Sequence, residues 1–289
     1  MAVSKISEDV NAMAGNNEIL NKELIKDPQL WKLALRVEKA ALHVMLYSVV
    51  EENSLIYRKI EFDKASSSQL KSLENVVYEN PLLLSDFLRV DCVVETSIFA
   101  IVPPEITSLD AREKIMKTSF SDFDGEIVSC EISEKGAILL MGVETEIIAF
   151  LRRTFNNPHL HHNLSPLCRY FFHKNEHGNS TKMYACIRSS KVDIIAVNGS
   201  GLRFANTFDY RNSIDVVYYI MASRQMLGMD NANDEMFLSG SPSARESVAE
   251  TLRKYISYVM PVIFPSAIFK VGKEAMKAPF DLVVLPLCE

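Results

Sequence analysis

Cysteine is scarce in this sequence and poorly placed for structural chemistry. Five cysteines, Cys92, Cys130, Cys168, Cys186 and Cys288, occur among 289 residues. The number is odd, the spacings are long and no Cys-x-x-Cys occurs, which argues against a disulfide frame and a cysteine zinc site. They read as buried thiols in a reducing compartment. Basic charge is also short: 31 Lys and Arg stand against 37 Asp and Glu, a net charge of −6. That balance argues against a general nucleic-acid binder. Long apolar runs are missing. The run over 258–269 is too short to span a bilayer and contains Pro261 and Pro265. Residues 1–21 are polar, without the apolar centre of a secretory leader. The expectation is a cytoplasmic protein with no membrane span and no nucleic-acid partner.

What is present is apolar material in short, punctuated runs. Hydrophobic residues make up 48% of the chain, enough for a substantial core in one large or two medium domains. The most informative stretch is 191–243. Lys191-Val192-Asp193-Ile194-Ile195-Ala196-Val197 and Leu202-Arg203-Phe204-Ala205-Asn206-Thr207-Phe208 read as two strands around Asn198-Gly199-Ser200-Gly201. This glycine loop opens a strand, whereas phosphate cradles usually open a helix, so it reads first as a hairpin turn. Asn212 or Ser213 can cap the next helix, with Asp215 in its first turn. That helix is apolar nearly all round and is expected to be largely buried. Met236-Phe237-Leu238 then reads as a short buried strand. Ser239-Gly240-Ser241-Pro242-Ser243 leads from it into a helix over 244–258, and a strand-to-helix loop is where α/β folds bind ligands.

Upstream, a lead-in arm over 1–27 precedes strands near 32–37, 41–49 and 55–62, then a helix over 70–78. Apolar runs at 90–94 and 98–102, a helix over 109–118, a hairpin at 126–132 and 137–143 and a helix over 144–155 follow. From His159 the chain changes character, with a helix over 164–172 and a strand over 183–188. The order is three strands, helix, strand, helix, in each half. The pattern predicts an α/β fold of mixed sheets built from two units around a cleft, 1–155 and 156–289.

Other candidate chemistry is weaker. His159, His161, His162, His173 and His177 lie near Cys168, but adjacent histidines point to different faces and share a metal poorly. They read as a surface or inter-domain patch, which would make an interface pH-sensitive. Asp122-Phe123-Asp124-Gly125 lacks the remaining ligands of a calcium loop and reads as a turn. Ser239, Ser241 and Ser243 lie in no Gly-x-Ser-x-Gly elbow, and Ser241 or Ser243 reads as a helix cap.

Two such units are the plan of the actin-like ATPase superfamily, which includes actin, the heat-shock 70 chaperones and sugar kinases and whose units are ribonuclease H-like. The sequence also resembles a bacterial family of unknown function with an actin-like ATPase fold. Ile98-Phe99-Ala100-Ile101-Val102-Pro103, Gly201 to Phe208 and Asp215-Val216-Val217-Tyr218-Tyr219 carry that likeness. Active members of the superfamily hold phosphate on an Asp-x-Gly-Ser/Thr hairpin, whose Asp orients hydrated Mg²⁺. The matching place here reads Arg36-Val37-Glu38-Lys39, with a base for the acid and Glu for the glycine. The second phosphate hairpin is matched to Ala196-Val197-Asn198-Gly199, where no carboxylate is nearer in sequence than Asp193. The adenosine loop is matched to Leu238-Ser239-Gly240-Ser241, with one glycine of the usual two. The resemblance therefore implies no catalytic residue and no cofactor or metal, and points to a binding or scaffold module with a protein partner; a homodimer is open. The alternative is a divergent nucleotide-binding ATPase or kinase-like enzyme taking ATP with Mg²⁺ in the cleft. Its contacts would be Ser239, Gly240 and Ser241, with Asn198 and Gly199 as phosphate contacts.

Overall fold

A computed structural model describes residues 19–133, 137–175, 177 and 180–288. Most of the lead-in arm, the turn at 134–136 and positions 176, 178 and 179 of the polar loop lie outside the described residues.

The first sheet contains β1 (Trp31–Val37), β2 (Ala41–Ser48), β3 (Ile56–Glu61), β4 (Arg89–Val94) and β8 (His159–His162) in the order β3-β2-β1-β4-β8. The second contains β9 (Lys182–Ile187), β10 (Lys191–Asn198), β11 (Gly201–Asp209), β12 (Glu235–Ser239) and β13 (Val259–Pro261) in the order β11-β10-β9-β12-β13. The two match strand for strand and in sense. In each, the first three strands pair antiparallel, and the first also pairs parallel with the fourth. The doubled pattern expected from the sequence is therefore present as two mixed sheets. The sequence division at 155/156 falls just before β8, which pairs with β4 in the first sheet.

Between β4 and β8 the first unit carries a third sheet, ordered β5-β7-β6, from β5 (Phe99–Val102), β6 (Glu126–Ser133) and β7 (Ala137–Val143). The helix α2 (Leu109–Ser119) packs on it through Met116, against Val102 and Leu140.

Local sequence sets the helix starts. The Ser68 hydroxyl accepts the Lys71 N–H at 3.1 Å to open α1 (Gln69–Glu79), which buries Leu73, Val76 and Val77. Asn212, not Ser213, caps α5 (Ser213–Met226), in a capping box with Asp215. Ser241, not Ser243, caps α6 (Pro242–Leu252), whose first residue is proline. This helix ends at Leu252, short of the expected 258. The helix α5 is buried on one side only: Val216, Val217 and Ile220 face the second sheet, while Ile214, Tyr218 and Met226 are 70%, 66% and 65% exposed. Its all-round apolar character therefore does not mean full burial.

The helices α3 (Thr145–Thr154), α4 (Leu164–Asn175), α7 (Ser266–Val271) and α8 (Phe280–Val284) complete the described α-helices. The larger core crosses between the units. It runs from Leu33, Leu35 and Val37 through Phe171 on α4 and Phe280 on α8 to Tyr184 and Ile195 in the second sheet. Face-to-face rings continue across this boundary: Phe171 stacks on Tyr184 at 3.8 Å and Tyr184 on Phe237 at 4.9 Å.

Candidate functional site

The first turn of each sheet points to the same place. The turn between β1 and β2 brings Arg36 and Glu38, and the turn between β9 and β10 brings Arg188 and Lys191. Glu95, just after β4, lies between them, and Asp281 arrives from α8.

Arg36 is wholly buried. Its Nε donates to Asp281 Oδ2 at 2.6 Å and its Nη2 to Glu95 Oε2 at 3.0 Å, while Nη1 pairs with Glu38. The same Glu95 oxygen accepts from Arg188 Nη1 at 2.5 Å, so one carboxylate bridges the two units. Arg188 forks onto Asp193, with Nε to Oδ2 and Nη2 to Oδ1 both at 2.9 Å. Asp193 Oδ1 also accepts from Thr207 Oγ1 at 2.6 Å and from Asn163 Nδ2 at 3.1 Å. Lys191 Nζ lies 3.7 Å from Glu95 Oε1. Burial works to lower the Arg188 pKa, but Asp193 and Glu95 outweigh it and hold the guanidinium above its ordinary value.

The network has a neutral extension. His43 Nδ1 meets Tyr57 Oη at 2.7 Å, and Nε2 faces Glu38 Oε1 at 3.2 Å. Burial, aided by Arg36, pushes His43 down to about 4, and burial pushes Tyr57 up. A neutral imidazole taking the phenol O–H at Nδ1 fits both directions.

The resemblance matched Arg36 to Lys39 with a phosphate hairpin, and the chemistry of this place is already committed. A hydrated Mg²⁺ needs carboxylate oxygens facing the metal. Here Asp193 accepts four donors and Glu95 is shared by two guanidinium groups. The residues present therefore do not fit a Mg²⁺–phosphate group.

The other residues singled out by sequence divide cleanly. Ser239 pairs with Cys186 at the end of β9, so the Ser239-Gly240-Ser241 loop lies beside the Arg188 turn. Gly240 has φ +132°, and a Cβ there would sit 2.5 Å from the Ile187 carbonyl oxygen. Close packing thus accounts for that glycine, and helix capping accounts for Ser241. Asn198 and Gly199 are not brought to the cluster; they lie at the opposite end of β10 from Lys191. Arg188, Glu95 and Asp281 are the cluster members that sequence reasoning passed over. Matching the two halves strand for strand would have found Arg188, because it directly follows the second unit's first strand while Arg36 nearly closes the first's.

The histidines disperse. His159, His173 and His177 are exposed. His161 Nε2 meets Asp91 Oδ1 at 2.8 Å, and Asp91 also takes a two-pronged contact from Arg89. His162 is buried: Leu164 N–H donates to its Nδ1 at 3.1 Å, and its Nε2 donates to the Thr96 carbonyl at 3.0 Å. Among the described residues no group of three or more His, Cys, Asp or Glu is placed to hold a metal ion. No described helix is long and apolar enough to cross a membrane.

Both His162 nitrogens are used by the neutral ring, and burial holds its pKa at about 4. The unfolded value is about 6.5, so stability from this group is fully present above about pH 6.5 and is lost as pH falls toward 4. Denaturant titrations across that range should show a loss of roughly 3 kcal/mol from His162. The His162→Asn variant should lose that share of the slope while His43 keeps its own; an unchanged pH profile would contradict the neutral-ring assignment.

A family model describing a protein of unknown function (DUF3822) matches residues 21–259. The chain belongs to the DUF3822 family. A structure from Bacteroides thetaiotaomicron VPI-5482, described as a protein with actin-like ATPase fold and unknown function, is 22% identical with a TM-score of 0.76; the match covers 91% of this chain and 97% of that one. A second structure, the PilM–PilN type IV pilus biogenesis complex, is 11% identical with a TM-score of 0.54, over 90% of this chain and 98% of that one. A comparison with curated proteins finds no match. This DUF3822 member therefore has the actin-like ATPase fold that its sequence resembles.

Proposed function

We propose that this DUF3822 protein is a nucleotide-independent binding module of the reducing cytoplasm, an actin-like fold whose cleft is held shut by its own side chains. The observation that carries this reading is Glu95 clamped between Arg36 and Arg188, beside the turn that the resemblance matches with a phosphate hairpin. Both guanidinium groups are paired with carboxylates, so a triphosphate would have to displace a buried ionic network to enter. The PilM–PilN complex, a neighbour in fold, supports the use of this architecture as a protein-binding scaffold. The five cysteines, all free and buried, support a reducing location.

Thermal and calorimetric titration with ATP and ADP, each with and without Mg²⁺, tests the reading. Binding to the folded chain alone would raise stability by about 2.7 kcal/mol at a hundredfold excess over the dissociation constant. No Mg²⁺-dependent shift is expected at millimolar nucleotide. A clear Mg²⁺-dependent shift would overturn the closed-cleft reading in favour of a divergent ATPase using Ser239 to Ser241.

A further inference from the structure

The second sheet ends in a long open strand. No described strand pairs with β11 on the side away from β10. Such an edge is a template for pairing with another chain. Tyr210 N–H donates to the Ser190 carbonyl, which fixes the alternation along the strand. Backbone groups of the even-numbered residues in 204–208 turn toward β10, and those of Ala205 and Thr207 turn outward. The Thr207 N–H agrees with this, donating locally to Asn206 Oδ1 at 2.9 Å.

The flanking side chains are self-complementary. Arg203, at the irregularity in the β10–β11 register, and Asp209 are both exposed and opposite in charge. Phe204 and Phe208 lie on the α5 side of the sheet, where Phe208 stacks on Tyr219 at 4.5 Å and Tyr219 meets Tyr218 edge-on at 5.6 Å. From Tyr218 the exposed row on α5 runs to Ile214 in one direction and through Ala222 to Met226 in the other, with no charged residue among them.

Antiparallel pairing of two copies about a two-fold axis at Asn206 satisfies all of these at once. Ala205 of each copy meets Thr207 of the other through outward backbone groups. Phe204 falls opposite Phe208, and Arg203 opposite Asp209, each twice by symmetry. Shifting the centre to Ala205 would put Arg203 opposite Thr207 and lose both matches. We propose that the chain forms a two-fold homodimer through β11 in this register, joining the two copies' sheets edge to edge and covering the exposed row on α5. The partner is a second copy because the charge and aromatic pattern complements itself. Asp209 also lies 3.5 Å from Lys191 Nζ within its own copy, so the strand's edge adjoins the cluster.

Sedimentation equilibrium of the full chain over a range of concentrations tests the proposal. The wild type should show a reversible dimer. Arg203→Asp alone places like charges opposite each other twice and should weaken dimerisation at least about tenfold. Asp209→Arg alone should do the same, and the double variant carrying both changes should restore it. Both side chains are exposed, and thermal unfolding of each variant reports whether the monomer fold is retained. A wild type that stays monomeric, a dimer indifferent to both single changes, or a double variant that fails to recover would each overturn the proposal.

Discussion

Replacing Arg36 by Met is expected to cost about 3–5 kcal/mol of folding stability, read as a lower urea midpoint with an unchanged slope. The size follows from what remains after the change. Asp281 is 4% exposed and Glu95 13%, and both lose a cation at hydrogen-bonding distance. Glu95 keeps Arg188, but Asp281 is left buried without its cation, so the penalty exceeds the worth of an ordinary surface pair. Arg253→Ala supplies the contrast: its pair with Glu246 is about half exposed on both sides, and its loss should cost no more than about 1 kcal/mol. A deficit below about 1 kcal/mol for Arg36→Met would mean that the cluster is more hydrated than its geometry shows, and the closed-cleft reading would lose its support.

Phe171→Ala should be comparably severe, at about 3–5 kcal/mol. Phe171 is wholly buried on α4, stacked at 3.8 Å on Tyr184 and at 5.8 Å on Phe280. Truncating it opens a cavity between the units and frees two rings that hold opposite walls. Phe280 adjoins Asp281, so the cavity also loosens the carboxylate that anchors Arg36. The double variant with Arg36→Met should therefore be less destabilised than the sum of the singles by at least about 0.5 kcal/mol, measured as a denaturation cycle. Strict additivity would show that the aromatic stack and the ionic network are independent.

Much of the architecture was legible because it is written in short-range pattern. The β9 to β11 run, its Asn-Gly turn and the capped helix after it stand where alternation and capping residues place them. The strand β8 was not legible. His159-Leu160-His161-His162 has one aliphatic residue in four, and it is a strand because β4 offers it a parallel partner and the Thr96 carbonyl takes His162. The exposed face of α5 was hidden for the opposite reason: it is as apolar as the buried face, so periodicity has no contrast to report. At the cluster, the base at Arg36 where the resemblance implies an acid was readable, but its pairing with Asp281 and Glu95 was not. Asn198-Gly199 looks like a phosphate turn because it contains the glycine, whereas the fold sets Arg188 opposite Arg36. Asp281 carries no local signal at all, since its partner is 245 positions away.

That separation has a consequence for how the molecule is made. Arg36 leaves the ribosome long before Asp281 exists, and at about 5–20 residues per second the interval is roughly 12–50 s. During that time the nascent first sheet holds the Arg36 guanidinium without one of its carboxylate partners. Only when α8 emerges can it dock against β1 and α4 and dehydrate the cluster. A chain released before Asp281 is translated lacks one of the carboxylates that pair with Arg36.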